Sequence, residues 1–169
     1  IMSATVLFIS EEKLKSYAIA GNVSPTNILP HLKDAQRIYI ETALGTTLYE
    51  YLQAQILAGT LVLQYLKLVD DYIQAVLVHY ATLQALPFLA YKIEAGNIYS
   101  KTSENGTALS REELSDLSDS VKNTAEWYRA RLIDYLCNNT DLFPEYTTGN
   151  TGADIRPSTT RYTNNMNLY

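Results

Sequence analysis

Residues 61–93 constrain the fold more than any other part of the chain, because apolar side chains fall on nearly every side of a helix drawn through them. Such a helix is buried on several faces and belongs in the middle of a bundle. Lys67, Asp70, Asp71, Gln74, His79, Gln84, Pro87 and Lys92 interrupt the run, so it does not read as a transmembrane span of roughly 20 apolar residues. Pro87 lies deep inside and predicts a kink or break between Leu86 and Phe88. Thr60 is the expected N-cap, and Gly96 marks the end.

The flanking segments read as capped helices. Ser10 caps a short helix over 11–17, with Glu11 and Glu12 in its first turn, where the helix dipole favours carboxylates. Pro30 would break a helix begun at Ser24, so the next helix is predicted to start near Ile28 with Asn27 as its cap. It carries a stripe through Leu29, Leu32, Ala35 or Gln36, Tyr39 and Ala43, and Gly45 is its left-handed C-cap. Thr47 with Glu50 forms a capping-box pattern that opens a helix ending at Gly59. Ser110 with Glu113 forms a second, followed by the clearest amphipathic pattern in the chain: Leu114, Leu117, Val121, Ala125, Tyr128, Leu132 and Leu136. Around Asn105 and Gly106 the residues 97–109 predict either a small hairpin or a polar loop. The expected fold class is therefore all-α, a bundle of about five helices with a small β-hairpin or loop insertion.

After Asn139 the chemistry changes to Thr and Asn with scattered Pro and Gly. Such a segment buries too little apolar area to offset its ordering entropy, so it is expected to be an extended C-terminal arm. The domain reading is a helical body over 1–138 and an arm over 139–169. Truncation after Asn139 is then expected to spare the fold. Phe143, Tyr146, Ile155, Tyr162, Leu168 and Tyr169 stand at wide spacing in the arm, which suits either docking into a neighbour or a surface tail. Arg156 and Arg161 could meet carboxylates there. With Tyr99, Lys101, Asn105 and Gly106 of the hairpin, these are the candidate interface residues.

Composition narrows the function classes. Of the 169 residues, 13 are Lys or Arg and 18 are Asp or Glu, a net charge of −5 that argues against binding nucleic acid by bulk charge. Fourteen tyrosines stand beside three Phe and one Trp, an excess suited to half-buried surfaces and subunit interfaces. One cysteine, Cys137, excludes an internal disulfide and any multi-thiolate metal site, and fits a reducing compartment. The N-terminal apolar run lacks a basic flank and does not read as a signal peptide.

No catalytic, cofactor-binding or metal-binding pattern is legible. The seven glycines form no phosphate loop. His31 and His79 lie in separate helices and read as packed or rim histidines rather than ligands. Asp70 and Asp71 point about 100° apart on a helix and cannot share a proton; solvation or pairing with Lys67 is expected. Cys137 near a helix C-terminus is not activated by the dipole. The sequence therefore predicts no enzyme and no cofactor.

The segments FISEEKLKSY, LPHLKDAQRIYIETALGTTLYEYL and HYATLQALPFLAYKI, over roughly 7–93, resemble the helical head–tail connector (adaptor or head-completion) proteins of tailed bacteriophages. The likeness is nearest to versions from Bacteroidetes-infecting, crAss-like phages. The resemblance implies a structural virion protein: a homo-oligomeric ring, usually of twelve copies, that docks on the portal protein, extends the DNA channel and joins the next tail or neck ring. It implies location at the head–tail interface of the virion, with the bacterial host cytoplasm during assembly. DNA would be passing cargo only, and no membrane is involved. Twelve copies at −5 amount to about −60, which would let DNA slide without adhering. The other reading is an all-α protein-interaction adaptor or regulator without catalysis.

Overall fold

The structure is a computed structural model that describes residues 6–10, 13, 25–94, 97–100 and 110–159. The fold is an all-α bundle. Pro25–Ala35, Gln36–Ile40 and Glu41–Leu44 run on as one helix, α1, and Thr46–Ala58 is α2. Leu63–Lys67, Leu68–Ile73 and Gln74–Ala90 form the long helix α3, Arg111–Asn138 is α4, and the single turn Pro144–Thr147 is α5.

Helix α3 packs between α1 and α4. Three consecutive residues, Val76, Leu77 and Val78, are all buried, as a central helix requires. Pro87 does not break α3, which continues to Ala90. The chain then turns into β1, Tyr91–Glu94, antiparallel to β2, Asn97–Ser100, with Lys92 opposite Tyr99. This hairpin precedes the hairpin or loop predicted around Asn105–Gly106, whose residues 101–109 lie outside the described residues. Among the described residues no single helix is long and apolar enough to cross a membrane.

Proline placement corrects the expected start of α1. Pro25 takes the opening position, where its absent N–H forfeits no bond, and Pro30 is accommodated inside the helix. The middle of α1 widens into a π turn, in which the Glu41 N–H reaches back five residues to the Gln36 carbonyl. A second π turn, in α3, pairs the Gln74 N–H with the Val69 carbonyl. Each wide turn shifts the phase of the buried face. Ile40 is consequently buried where the 3.6-residue stripe selects Tyr39, which is only half-buried, and Leu29 is exposed.

The predicted caps divide. Ser110 and Glu113 make both reciprocal bonds of a capping box, at 3.2 and 2.8 Å. Ser10 Oγ accepts from the Lys13 N–H at 3.3 Å, as an N-cap would. Thr47 and Glu50 form no such box: Gly45 precedes α2, and the Thr47 hydroxyl donates to the Gly149 carbonyl at 3.2 Å instead. Val62, not Thr60, precedes α3, and the Thr60 hydroxyl is bonded to Gln55. Gly59 adopts the left-handed conformation that ends α2.

The tyrosines stitch the bundle together from within. Tyr39 stacks on Tyr80 at 3.7 Å between ring centres, joining α1 to α3. Tyr72 stacks on Tyr135 at 4.1 Å, joining α3 to α4, with the Arg131 guanidinium over the Tyr72 ring at 4.6 Å. Burial pushes the Tyr80 hydroxyl up to about 12.

Candidate interaction surfaces

The twenty residues after Asn139 that the structure describes are part of the body rather than a free arm. Phe143 is 0 % and Tyr146 2 % exposed. The Phe143 ring meets Tyr65 edge-on at 5.4 Å and Tyr135 at 5.8 Å. The Tyr146 hydroxyl donates to the Ser158 carbonyl at 3.0 Å and lies 3.7 Å from Cys137 Sγ. Burial, then the cysteine, raises its pKa. The Tyr65 hydroxyl donates to Glu145 at 2.7 Å, and its own pKa is raised by burial and that carboxylate. Phe143 and Tyr146, two of the candidate interface residues, are therefore core residues. Two large rings in sealed pockets outweigh the polar composition that predicts an extended arm.

The strap continues across the start of α2. The Thr46 N–H donates to the Ile155 carbonyl and the Ile155 N–H to the Thr46 hydroxyl, each at 2.9 Å. The Ser158 N–H reaches the Thr42 carbonyl at 3.2 Å. Ile155 is half-buried and Arg156 exposed, with no carboxylate partner among the described residues. A cavity of about 630 Å³ opens beside Arg156, lined by the 146–151 turn, Pro157 and Thr159. Tyr99 lies on β2; Lys101, Asn105, Gly106, Arg161, Tyr162, Leu168 and Tyr169 are outside the described residues.

An exposed apolar surface lies elsewhere, at the corner between α2 and α3. Leu57 is 74 %, Val62 51 %, Leu63 81 % and Leu66 43 % exposed. No charged residue occurs between Glu50 and Lys67, so the cost of desolvating this corner is low. That uncharged run was the available signal, but periodicity alone assigns its leucines to a core. Trp127 on α4 is a separate exposed aromatic, 60 % accessible.

Beside the corner lies a cavity of about 400 Å³ lined by residues 7–10 with Ile56, Gly59, Leu61, Leu66, Val69, Asp70 and Gln74. Its wall is the 6–10 segment, held by glutamine side chains. Gln36 Oε1 accepts the Phe8 N–H at 3.0 Å, and Gln74 Nε2 donates to the Phe8 carbonyl at 2.9 Å. Gln36 Nε2 and Gln53 Nε2 donate to the Val6 carbonyl at 2.8 and 3.3 Å, and both also reach the Tyr49 hydroxyl. Lys13 and Asp70 pair at 3.2 Å beyond the segment, so Asp70 meets Lys13 rather than Lys67.

His31 lies against Phe88 at 4.7 Å, and His79 stacks on Tyr128 at 4.9 Å. Burial lowers the His79 pKa. Among the described residues no three His, Cys, Asp or Glu side chains gather as a metal site. No curated protein and no solved structure matches the chain. A family model does match, over residues 40–156, from the middle of α1 through the strap that closes on Thr46. Because that match covers most of the chain, the protein belongs to the DUF6712 family, a family of unknown function.

Proposed function

We propose that this protein is a non-catalytic structural virion component, a head–tail connector that forms a ring on the portal, extends the DNA channel and joins head to tail. Two things support the reading: the sequence resemblance over roughly 7–93 and, from the geometry, the uncharged α2–α3 corner with Leu57, Val62, Leu63 and Leu66 exposed. An all-α body with such a corner suits side-by-side, heterologous contacts that close into a ring. The strap after Asn139 stiffens the protomer, while the hairpin region and the residues beyond Thr159 are the elements left to reach the portal or the next ring.

The test is particle mass and electron microscopy of the protein with and without portal rings. A new closed ring of density on the portal, lost in the Leu63→Glu variant, is the expected result. A protein that remains monomeric and adds nothing to portal assemblies overturns the reading. Binding instead to a soluble host regulator would favour an adaptor role.

A further inference from the structure

Two open apolar features lie on opposite flanks of the bundle. One is the α2–α3 corner, which runs directly into the cavity of about 400 Å³, because Leu66 is exposed at the corner and also lines the cavity. The other is Trp127 on α4. Along α3, Tyr72 and His79 face α4, where they stack on Tyr135 and Tyr128. Asp70 and Gln74, which line the cavity, each stand two residues from Tyr72, about half a turn round the helix. The cavity therefore opens on the side of α3 turned away from α4. Trp127 stands two residues from the buried Ala125, so its ring points outward from α4.

The two features are chemically complementary. The cavity has apolar walls from Phe8, Ile56, Leu61, Leu66 and Val69, and the carboxylate that reaches it is that of Asp70, whose side chain is 41 % exposed. The bonds that Asp70 accepts from Lys13 and Gln74 both end on Oδ1, which leaves Oδ2 to accept another. An apolar pocket edged by one acceptor suits an aromatic ring that carries a donor, and ligand pockets begin at roughly 300 Å³, so an indole has room. Of the exposed Phe88 and Trp127 rings, only Trp127 has such an N–H. Its ring meets Tyr128 edge-on at 4.9 Å, and its N–H makes no hydrogen bond among the described residues. Of its neighbours one turn away, Asn123, Thr124 and Ala130 are short and uncharged, and Arg131 leans over Tyr72, so the ring stands clear of its helix.

We propose that the α2–α3 corner and its cavity receive Trp127 of an adjacent copy of this chain, with the indole N–H donating to Asp70. Each copy then offers the ring on one flank and the pocket on the other, a heterologous contact that repeats from copy to copy and closes into a ring. A buried tryptophan removes about 150–250 Å² from water. Leu57, Val62 and Leu63 surround the entry and exclude water from it, the arrangement of an interface hot spot. The inference rests on the assembly reading in taking the partner to be another copy.

Trp127 is the sole tryptophan, so intrinsic fluorescence reads its burial alone. As the wild-type concentration rises, the emission maximum is expected to move to the blue together with the mass measured by analytical ultracentrifugation. Trp127→Ala should weaken association about thirtyfold or more, and Trp127→Phe, which keeps a ring but loses the donor, about tenfold. Trp127→Ala retains a sound pocket and Leu63→Glu a sound tryptophan. Their mixture should therefore stop at one-to-one pairs with blue-shifted emission, while neither variant associates alone. A rise in mass with the emission unmoved, a chain still monomeric at about 1 mM, or full affinity in Trp127→Phe overturns the inference. Portal rings that form from Trp127→Ala overturn it too and leave the connector reading standing. One-to-one pairs without any wild-type ring on portals keep the contact and remove the connector reading.

Discussion

Thr46 and Ile155, 109 residues apart in the chain, exchange two hydrogen bonds of 2.9 Å, and this pair pins the C-terminal strap across the start of α2. The Thr46 hydroxyl thereby serves a distant backbone N–H rather than capping its own helix. Thr46→Val should cost about 1–2 kcal/mol, since it strands the half-buried Ile155 N–H, whereas Thr46→Ser should restore most of it. Urea denaturation checks this; equal midpoints for valine and wild type would show that the contact contributes nothing.

Truncation separates the two halves of the tail. Ending the chain after Thr159 leaves every strap contact described above in place. Ending it after Asn139 removes Phe143 and Tyr146 from the core and should largely unfold the protein. Phe143→Ala alone is expected to cost about 3–5 kcal/mol. Circular dichroism melts report each, and a stable body lacking residues 140–169 would contradict the packing described.

Gly45 is required by both its conformation and its neighbour. Its φ is +77°, and a Cβ there would stand 2.7 Å from Pro157 Cδ and 2.8 Å from Pro157 N. Gly45→Ala should therefore destabilise by about 2 kcal/mol or more, combining backbone strain with displacement of the strap. Gly59, with nothing within 4 Å of such a Cβ, should pay the backbone term alone.

His79 makes stability depend on pH. Burial lowers its folded pKa, so the unfolded chain binds the proton more readily. The contribution is fully present above about pH 6.5 and is lost as pH falls through the folded value. His79→Phe keeps a ring against Tyr128 and should flatten that part of the curve between pH 7 and 5, measured as the denaturation midpoint against pH. An unchanged slope would assign it to the carboxylates instead.

Leu63→Glu places a charge at a side chain 81 % exposed, so the monomer melt should move by less than about 0.5 kcal/mol. Higher-mass assemblies should disappear. Assemblies of unchanged mass would show that the α2–α3 corner faces solvent.

Much of the body was legible from local rules. Apolar side chains on nearly every side of 61–93 predicted a central helix, and Ser110 with Glu113 predicted where α4 begins, because capping and periodicity act within a few residues. The pairing of Tyr91–Glu94 with Asn97–Ser100 was not legible, because turn chemistry at Asn105 does not reveal it. The apolar corner was visible as a run without charge, but not as a surface, since exposure depends on which helix covers which.

By itself, then, the sequence determined the helical class, the central position of α3 and the absence of a disulfide framework. These follow from side-chain period, caps and a cysteine count. Tertiary structure alone decided that Phe143 and Tyr146 close the core and that Thr46 serves Ile155. It also decided that Gln36 and Gln74 grip Phe8 and that the tyrosines bind helix to helix. Each is a contact between residues far apart in the chain, where a good pocket or an unpaired buried amide outweighs local propensity, and single-chain patterns carry no record of such partners.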